Sequence, residues 1–182
     1  HPGFLTSATG PIMFGLDGMN QAAYAAGQPI PNIIGMAFSY SMTIAVLYPA
    51  FALAVLIFSK SNQLKTVGKI SIAPAFFGIS EPLMFGVPVV MNPFMAIPWI
   101  ISPMVNVLLG WLACSSGLVA RYAGVTVFNF PMGVTGILNG SFTIAILEVV
   151  VCIIDILIFM PFVRIQDKKY LAEEKAAAEA EQ

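Results

Sequence analysis

Charge is what this chain has least of. Only 9% of its 182 residues are Asp, Glu, Lys or Arg, against about 25% in ordinary soluble domains, while 58% are apolar. No charged residue falls between Asp17 and Lys60, and none between Glu81 and Arg121. A soluble fold with so much to bury needs a charged surface, and this chain has none to offer. A hydrocarbon core of about 30 Å takes roughly 20 apolar residues per helical span, and several such stretches fit here. The expected fold is therefore all-α and integral to a membrane. The formal net charge of −1 leaves no basic patch to neutralise phosphates, which excludes a nucleic-acid partner. Cysteine is scarce as well. Cys114 and Cys152 lie inside apolar runs without metal-ligand spacing and read as small buried hydrophobes, so no metal and no cofactor is called for. The first residue is His1 and nothing resembles a signal peptide, so a fragment of a longer protein is expected.

What is abundant is proline and glycine, and their placement divides the chain. Residues 1–35 are apolar but so punctuated by both that a broken or short helix flanked by loop is expected there. Residues 36–58 form a clean span, followed by Lys60, Lys65 and Lys69, which mark a cytoplasmic loop by the positive-inside rule. Residues 70–98 are apolar enough to span yet carry Pro74, Pro82, Pro88, Pro93 and Pro98. Such backbone survives at membrane depth only inside protein or beside a water-filled cavity. Further spans are expected at 100–120 and 141–163. Arg164, Lys168 and Lys169 then place the tail, 164–182, in the cytoplasm. With that orientation, 70–98 must begin and end on the cytoplasmic side, which makes it re-entrant. The stretch from Asp167 onward reads as a frayed, solvated helix without chemistry.

Glu81 is the first candidate for chemistry. A carboxylate at membrane depth costs about 2.5–3.5 kcal/mol even on the mild insertion scale, and is retained when it faces a cavity or a ligand. Its two acceptor oxygens suit sugar hydroxyls, and burial would bring it toward general-base range. The competing role is to accept hydrogen bonds from backbone freed by the prolines. Asn92 and Asn20 could each bind a hydroxyl or serve as a cap or packing group. Trp99 and Trp111 could stack on a sugar or anchor at an interface. Glu148 and Asp155, seven residues apart, share one helix face and mark either a pathway or buried pairing.

The run Ser80-Glu81-Pro82-Leu83-Met84-Phe85-Gly86-Val87-Pro88-Val89-Val90-Met91-Asn92-Pro93, followed by Ile97-Pro98, resembles the signature of the lactose/cellobiose (diacetylchitobiose) family of phosphotransferase-system permeases, the EIIC components. Lys60-Ser61-Asn62-Gln63-Leu64-Lys65, the segment around Asn20 to Gly27, and Pro161-Phe162 to Asp167-Lys168 resemble the same family, in its C-terminal half. The resemblance implies a bacterial inner-membrane, multi-pass protein with a cytoplasmic C-terminus. It implies a β-linked disaccharide as substrate, bound and then phosphorylated at a 6-hydroxyl by the phosphocysteine of EIIB. It further implies a lipid bilayer, the N-terminal half of the permease and a second copy as partners. The family's glutamate matches Glu81, which would hold and polarise hydroxyls, and its sugar-contacting histidine matches His1. Ser80 stands where the family usually has Asn, offering one hydroxyl instead of a bidentate amide. Ser39-Tyr40-Ser41-Met42-Thr43 and Phe128-Asn129-Phe130-Pro131 depart from the family pattern. The alternative reading is an ion- or proton-coupled secondary transporter with Glu81, Glu148 and Asp155 as a relay, since such carriers also use broken helices and buried carboxylates.

Overall fold

A computed structural model describes residues 9–87, 89 and 92–180; His1 lies outside them. The described residues are helical with no strand. In order they form α1 (Thr9–Ala25), α2 (Met36–Phe58), α3 (Asn62–Phe76), α4 (Glu81–Gly86), α5 (Pro93–Ser115), α6 (Val134–Leu138) and α7 (Phe142–Ala180). Helices α2, α5 and α7 are each long and apolar enough to cross a membrane.

α7 is the axis on which the rest is hung. α2 runs alongside it, with Ser41 bonded to Glu148 near one end of α7 and Phe58 under the Arg164 guanidinium toward the other. α5 runs the opposite way. Its first residues sit beside Gln166 through Asn92, and the loop that follows it meets Thr143 through the Ala120 N–H. Between these levels α7 rises about 35 Å at 1.5 Å per residue, enough for a hydrocarbon core of about 30 Å. Phe51, Trp99 and Phe159, one from each long helix, meet at ring-centroid distances of 4.8 to 5.8 Å and fill the core between them. Aromatic contacts of this kind contribute about 0.5–1.5 kcal/mol beyond the area they bury. Trp99 is thus a core residue rather than an interfacial anchor, whereas Trp111 is exposed.

Three differences from the sequence expectation have physical causes. The lysine stretch is not a loop: Lys65 and Lys69 lie within α3. No break separates residue 98 from residue 100, because α5 runs through both Pro98 and Pro103. A proline removes one hydrogen bond and strains the turn before it, but the ladder resumes one turn later, and α5 continues through both, packed against α2 and α7. Finally, the tail is not merely solvated. α7 continues unbroken to Ala180, and buried Asp167 accepts hydrogen bonds from Lys60 N (2.9 Å), Ser61 N (2.9 Å) and Ser61 Oγ (2.7 Å). That carboxylate caps α3 from outside, satisfying donors that would be orphaned at any helix start and complementing the positive end of its dipole.

The outer face of α5 is left apolar and uncovered. Ile100, Met104, Leu108 and Leu112, spaced four residues apart, are 47 to 68% exposed. α7 exposes a matching row in Ile146, Val150, Ile153 and Leu157. In water such rows would be untenable; against lipid or further transmembrane helices they are ordinary.

Candidate functional site: the hairpin tip around Glu81

α3 and α4 form a hairpin, and its flanking residues Ser61 and Asn92 meet α7 at one level. It starts at Ser61, held by Asp167, and closes at Asn92, whose amide donates to Gln166 Oε1 at 3.3 Å. α4 folds back against α3, close enough that a Cβ on Gly86 would lie 2.6 Å from Val67 Cγ1. At the turn Gly78 has φ +73°, a conformation that costs glycine little and other residues much. A Cβ there would sit 2.8 Å from the Tyr40 hydroxyl, so both backbone and space require glycine.

The tip rests on the one irregular stretch of α2. Ser41–Ala45 adopt a π-helical turn, wider than the α-helix and often associated with functional sites. The turn lies between Tyr40 and Tyr48, which reach the tip. Tyr40 accepts a hydrogen bond from Asn129 N at 2.9 Å and stacks edge-on against Phe128, centroids 5.0 Å apart. Tyr48 lies beside the Ser80 side chain and within electrostatic reach of Glu81. Asn129 itself is left-handed, φ 59°, which Asn tolerates better than most residues. It brings Oδ1 to 3.7 Å from the Cβ position of Gly78.

Glu81 opens α4 with Pro82 behind it and is exposed. It therefore projects from the tip instead of turning inward to bond backbone. Ser80 precedes it, buried, at the N-cap position without a capping hydrogen bond of its own. At the same tip the Tyr40 hydroxyl and the Asn129 amide lie beside Gly78, and Tyr48 lies within electrostatic reach of Glu81. A carboxylate on a tip that also carries hydroxyls and an amide can receive and orient a polyhydroxylated ligand.

The two asparagines do other work. Asn92 caps α5, its Oδ1 accepting from Phe94 N (3.1 Å) and Met95 N (3.4 Å). Asn20 is buried and both hydrogens of its amide are used: Nδ2 donates to Asn32 O (3.0 Å) and Tyr122 O (3.1 Å), while Oδ1 accepts from Asn32 N (3.0 Å). It ties α1 to two distant loops. Asp17 ties α1 to α2 through Ala37 N at 2.8 Å and to Thr126 Oγ1 at 2.6 Å. Burial pushes the Asp17 carboxyl above its ordinary range, and these hydrogen bonds offset part of that rise. Glu148 is likewise enclosed, accepting from Ser41 Oγ (2.6 Å), Thr135 Oγ1 (2.7 Å) and Gly133 N. It clamps the π-helical turn to α7 and to α6, separately from Glu81.

Tyr40, Tyr48, Gly78 and Asn129 were missed by sequence reasoning. Their signals were present: polar residues inside an otherwise apolar span, and a loop that departs from the family pattern.

Residues 1–103 match the protein-family model described as "Phosphotransferase system, EIIC". Over 180 residues the chain is 38% identical to the oligo-beta-mannoside-specific EIIC component of Bacillus subtilis, covering 96% of this chain and 41% of that protein. It is 34% identical to the lactose-specific EIICB component of Lacticaseibacillus casei, covering 98% of this chain and 32% of that one. Among solved structures it resembles the crystal structure of the transporter ChbC, the IIC component of the N,N'-diacetylchitobiose-specific system. The TM-score is 0.87 at 37% identity, over 95% of this chain and 41% of the other. The chain thus spans about two fifths of the length of the first of these relatives. An all-helical membrane fold, a proline-rich hairpin presenting a carboxylate, and these similarities agree: the chain belongs to the EIIC family of the phosphotransferase system.

Proposed function

We propose that this chain is the sugar-binding and translocating half of an EIIC permease, which takes up a β-linked disaccharide while phospho-EIIB phosphorylates it at a 6-hydroxyl. The observation that carries the proposal is the exposed Glu81 at a hairpin tip that also carries Ser80 and Tyr48 and, at Gly78, Tyr40 and Asn129. In this reading Glu81 accepts hydrogen bonds from two hydroxyls and draws the proton from the one that attacks the phosphoryl group. Ser80 and the tyrosines orient the ring, and His1 belongs to the same site. The use of Asn20 in structural bonds leaves it out of the sugar contacts, and Asn92 serves as the cap of α5.

The hairpin is re-entrant in this proposal, opening and closing on the cytoplasmic side with the tail of α7. The remaining partners are the N-terminal half of the permease, a second copy and EIIB, which the name of the L. casei relative joins to its EIIC.

The test is Glu81→Gln in the full-length permease, which keeps size and some hydrogen bonding but removes charge and basicity. Sugar phosphorylation should fall about 10²-fold or more, the usual contribution of a general base, with membrane insertion unchanged. Near-normal phosphorylation would assign Glu81 to structure. The proton-coupled alternative is tested by uptake in cells lacking EIIB or treated with a protonophore. Uptake that survives loss of EIIB but stops with the protonophore would overturn the phosphotransferase reading. The enclosure of Glu148 by three donors, away from Glu81, already speaks against a three-carboxylate relay.

A further inference from the structure

Ser102, Asn106 and Asp155 are each fully buried, 0% exposed, in the contact of α5 with α7 and the π-helical turn of α2. Asn106 Nδ2 donates to Asp155 Oδ2 at 2.7 Å and to Met42 O at 3.0 Å, which uses both of its hydrogens. Three oxygens remain without a partner: Ser102 Oγ, Asn106 Oδ1 and Asp155 Oδ1. Ser102 lies one turn before Asn106 on the same face of α5 and is turned to the same carboxylate, yet outside hydrogen-bond geometry. No positively charged group is among those acting on Asp155. The groups that face it from α5 and α2 are Ser102, Asn106 and the Met42 carbonyl, none of which titrates. On α7 itself Cys152 is the titratable group that feels it.

An unpaired carboxylate is among the most costly things a protein interior can hold, and such a group is neutralised or paired. Its environment here is rich in acceptors and poor in donors. Hard oxygen ligands with one net negative charge fit a single small monovalent cation. We propose that Ser102, Asn106 and Asp155 form a buried site for one monovalent cation, sodium or a proton, that locks α5 and α7 onto the π-helical turn of α2. The Met42 carbonyl, already bound to Asn106, lies at its edge. The site stands apart from Glu81 and does not depend on the identity of the sugar.

The test uses the full-length permease in lipid nanodiscs, with sodium chloride exchanged for choline chloride at constant ionic strength. If sodium is the occupant, the unfolding midpoint rises with the logarithm of sodium concentration, by about 2 °C or more per ten-fold once the site fills. Asp155→Asn, neutral and nearly isosteric, abolishes that dependence, and Ser102→Ala moves it to higher sodium. If a proton is the occupant, the midpoint ignores sodium. Infrared spectra of the wild type at neutral pH then show a protonated-carboxyl stretch that Asp155→Asn lacks and Glu148→Gln retains. Should Asp155→Asn not assemble, the sodium titration of the wild type and of Ser102→Ala decides the sodium case, and a protonated-carboxyl band that shifts in Ser102→Ala but persists in Asp17→Asn and Glu148→Gln decides the proton case. A midpoint independent of sodium, together with no protonated-carboxyl band assigned to Asp155 by these variants, overturns the proposal.

Discussion

Substitution of Asp167 separates a docked tail from a solvated one. Its Oδ1 accepts from Ser61 N and Ser61 Oγ, and its Oδ2 from Lys60 N. Ser61 is fully buried whereas Lys60 is exposed, so the three donors do not fare alike when the carboxylate goes. Asp167→Ala strands two buried donors of Ser61, each costing about 1–3 kcal/mol when unsatisfied, while water recovers the Lys60 N–H. Reorientation of the Ser61 hydroxyl relieves part of this, leaving a loss of about 2–4 kcal/mol. Asp167→Asn keeps the oxygen facing Ser61 and sets its NH₂ against an N–H that water can reach. Its cost should be near 1 kcal/mol, the value of a typical cap. At roughly 2–4 °C per kcal/mol for chains of this size, Ala should lower the midpoint by about 4–16 °C and Asn by about 2–4 °C. The assay is the fraction of full-length permease that stays monodisperse after heating, with exposed Glu179→Ala as the control. Equal effects of Ala and Asn, or an Ala variant indistinguishable from the control, would refute the capping argument.

Gly78→Ala meets both an unfavourable φ and the Tyr40 hydroxyl; it should weaken sugar binding at least ten-fold, measured by calorimetry on the full permease, with expression preserved. Single cysteines at Gln63 and Arg164, both exposed, should label from the cytoplasm, and one at Leu118, 77% exposed, only from outside. Labelling of Gln63 and Arg164 from opposite faces would remove the re-entrant hairpin. Replacing Cys114 and Cys152 together with Ala should leave phosphorylation within about two-fold of wild type, because both are buried, and buried thiols are inert. A larger loss in a well-folded variant would give one of them a role in chemistry.

The long helices were legible because their signal is local: charge is missing over just the lengths that a span requires. Glu81 was legible for a similar reason, a carboxylate isolated in an apolar, proline-rich run. Asp167 was not, since its partner lies 106 residues away and the surrounding composition is that of a solvated helix. The course of α5 was hidden by Pro98 and Pro103, whose local penalty is outweighed by contacts with α2 and α7 that no window of sequence contains. Asn20 illustrates the limit most sharply. A lone asparagine offers the same amide to a sugar or to a backbone, and only the positions of Asn32 and Tyr122 decide between them. The rim of the tip, Tyr40, Tyr48 and Asn129, comes from three places in the chain and exists only after folding.

The hairpin is riveted to α7 at both of its ends, by Ser61 to Asp167 and by Asn92 to Gln166, adjacent residues of one helix. Two fasteners so close together leave almost no lever arm for the hairpin to flex against α7. The clamp of Glu148 on the π-helical turn fixes the surface on which the tip rests to that same helix. Anything that carries Glu81 from one side of the membrane toward the other must therefore carry α7 with it. In the proposed transport cycle the sliding surface then lies elsewhere, and the uncovered apolar rows of α5 and α7 offer one without hydrogen bonds to break.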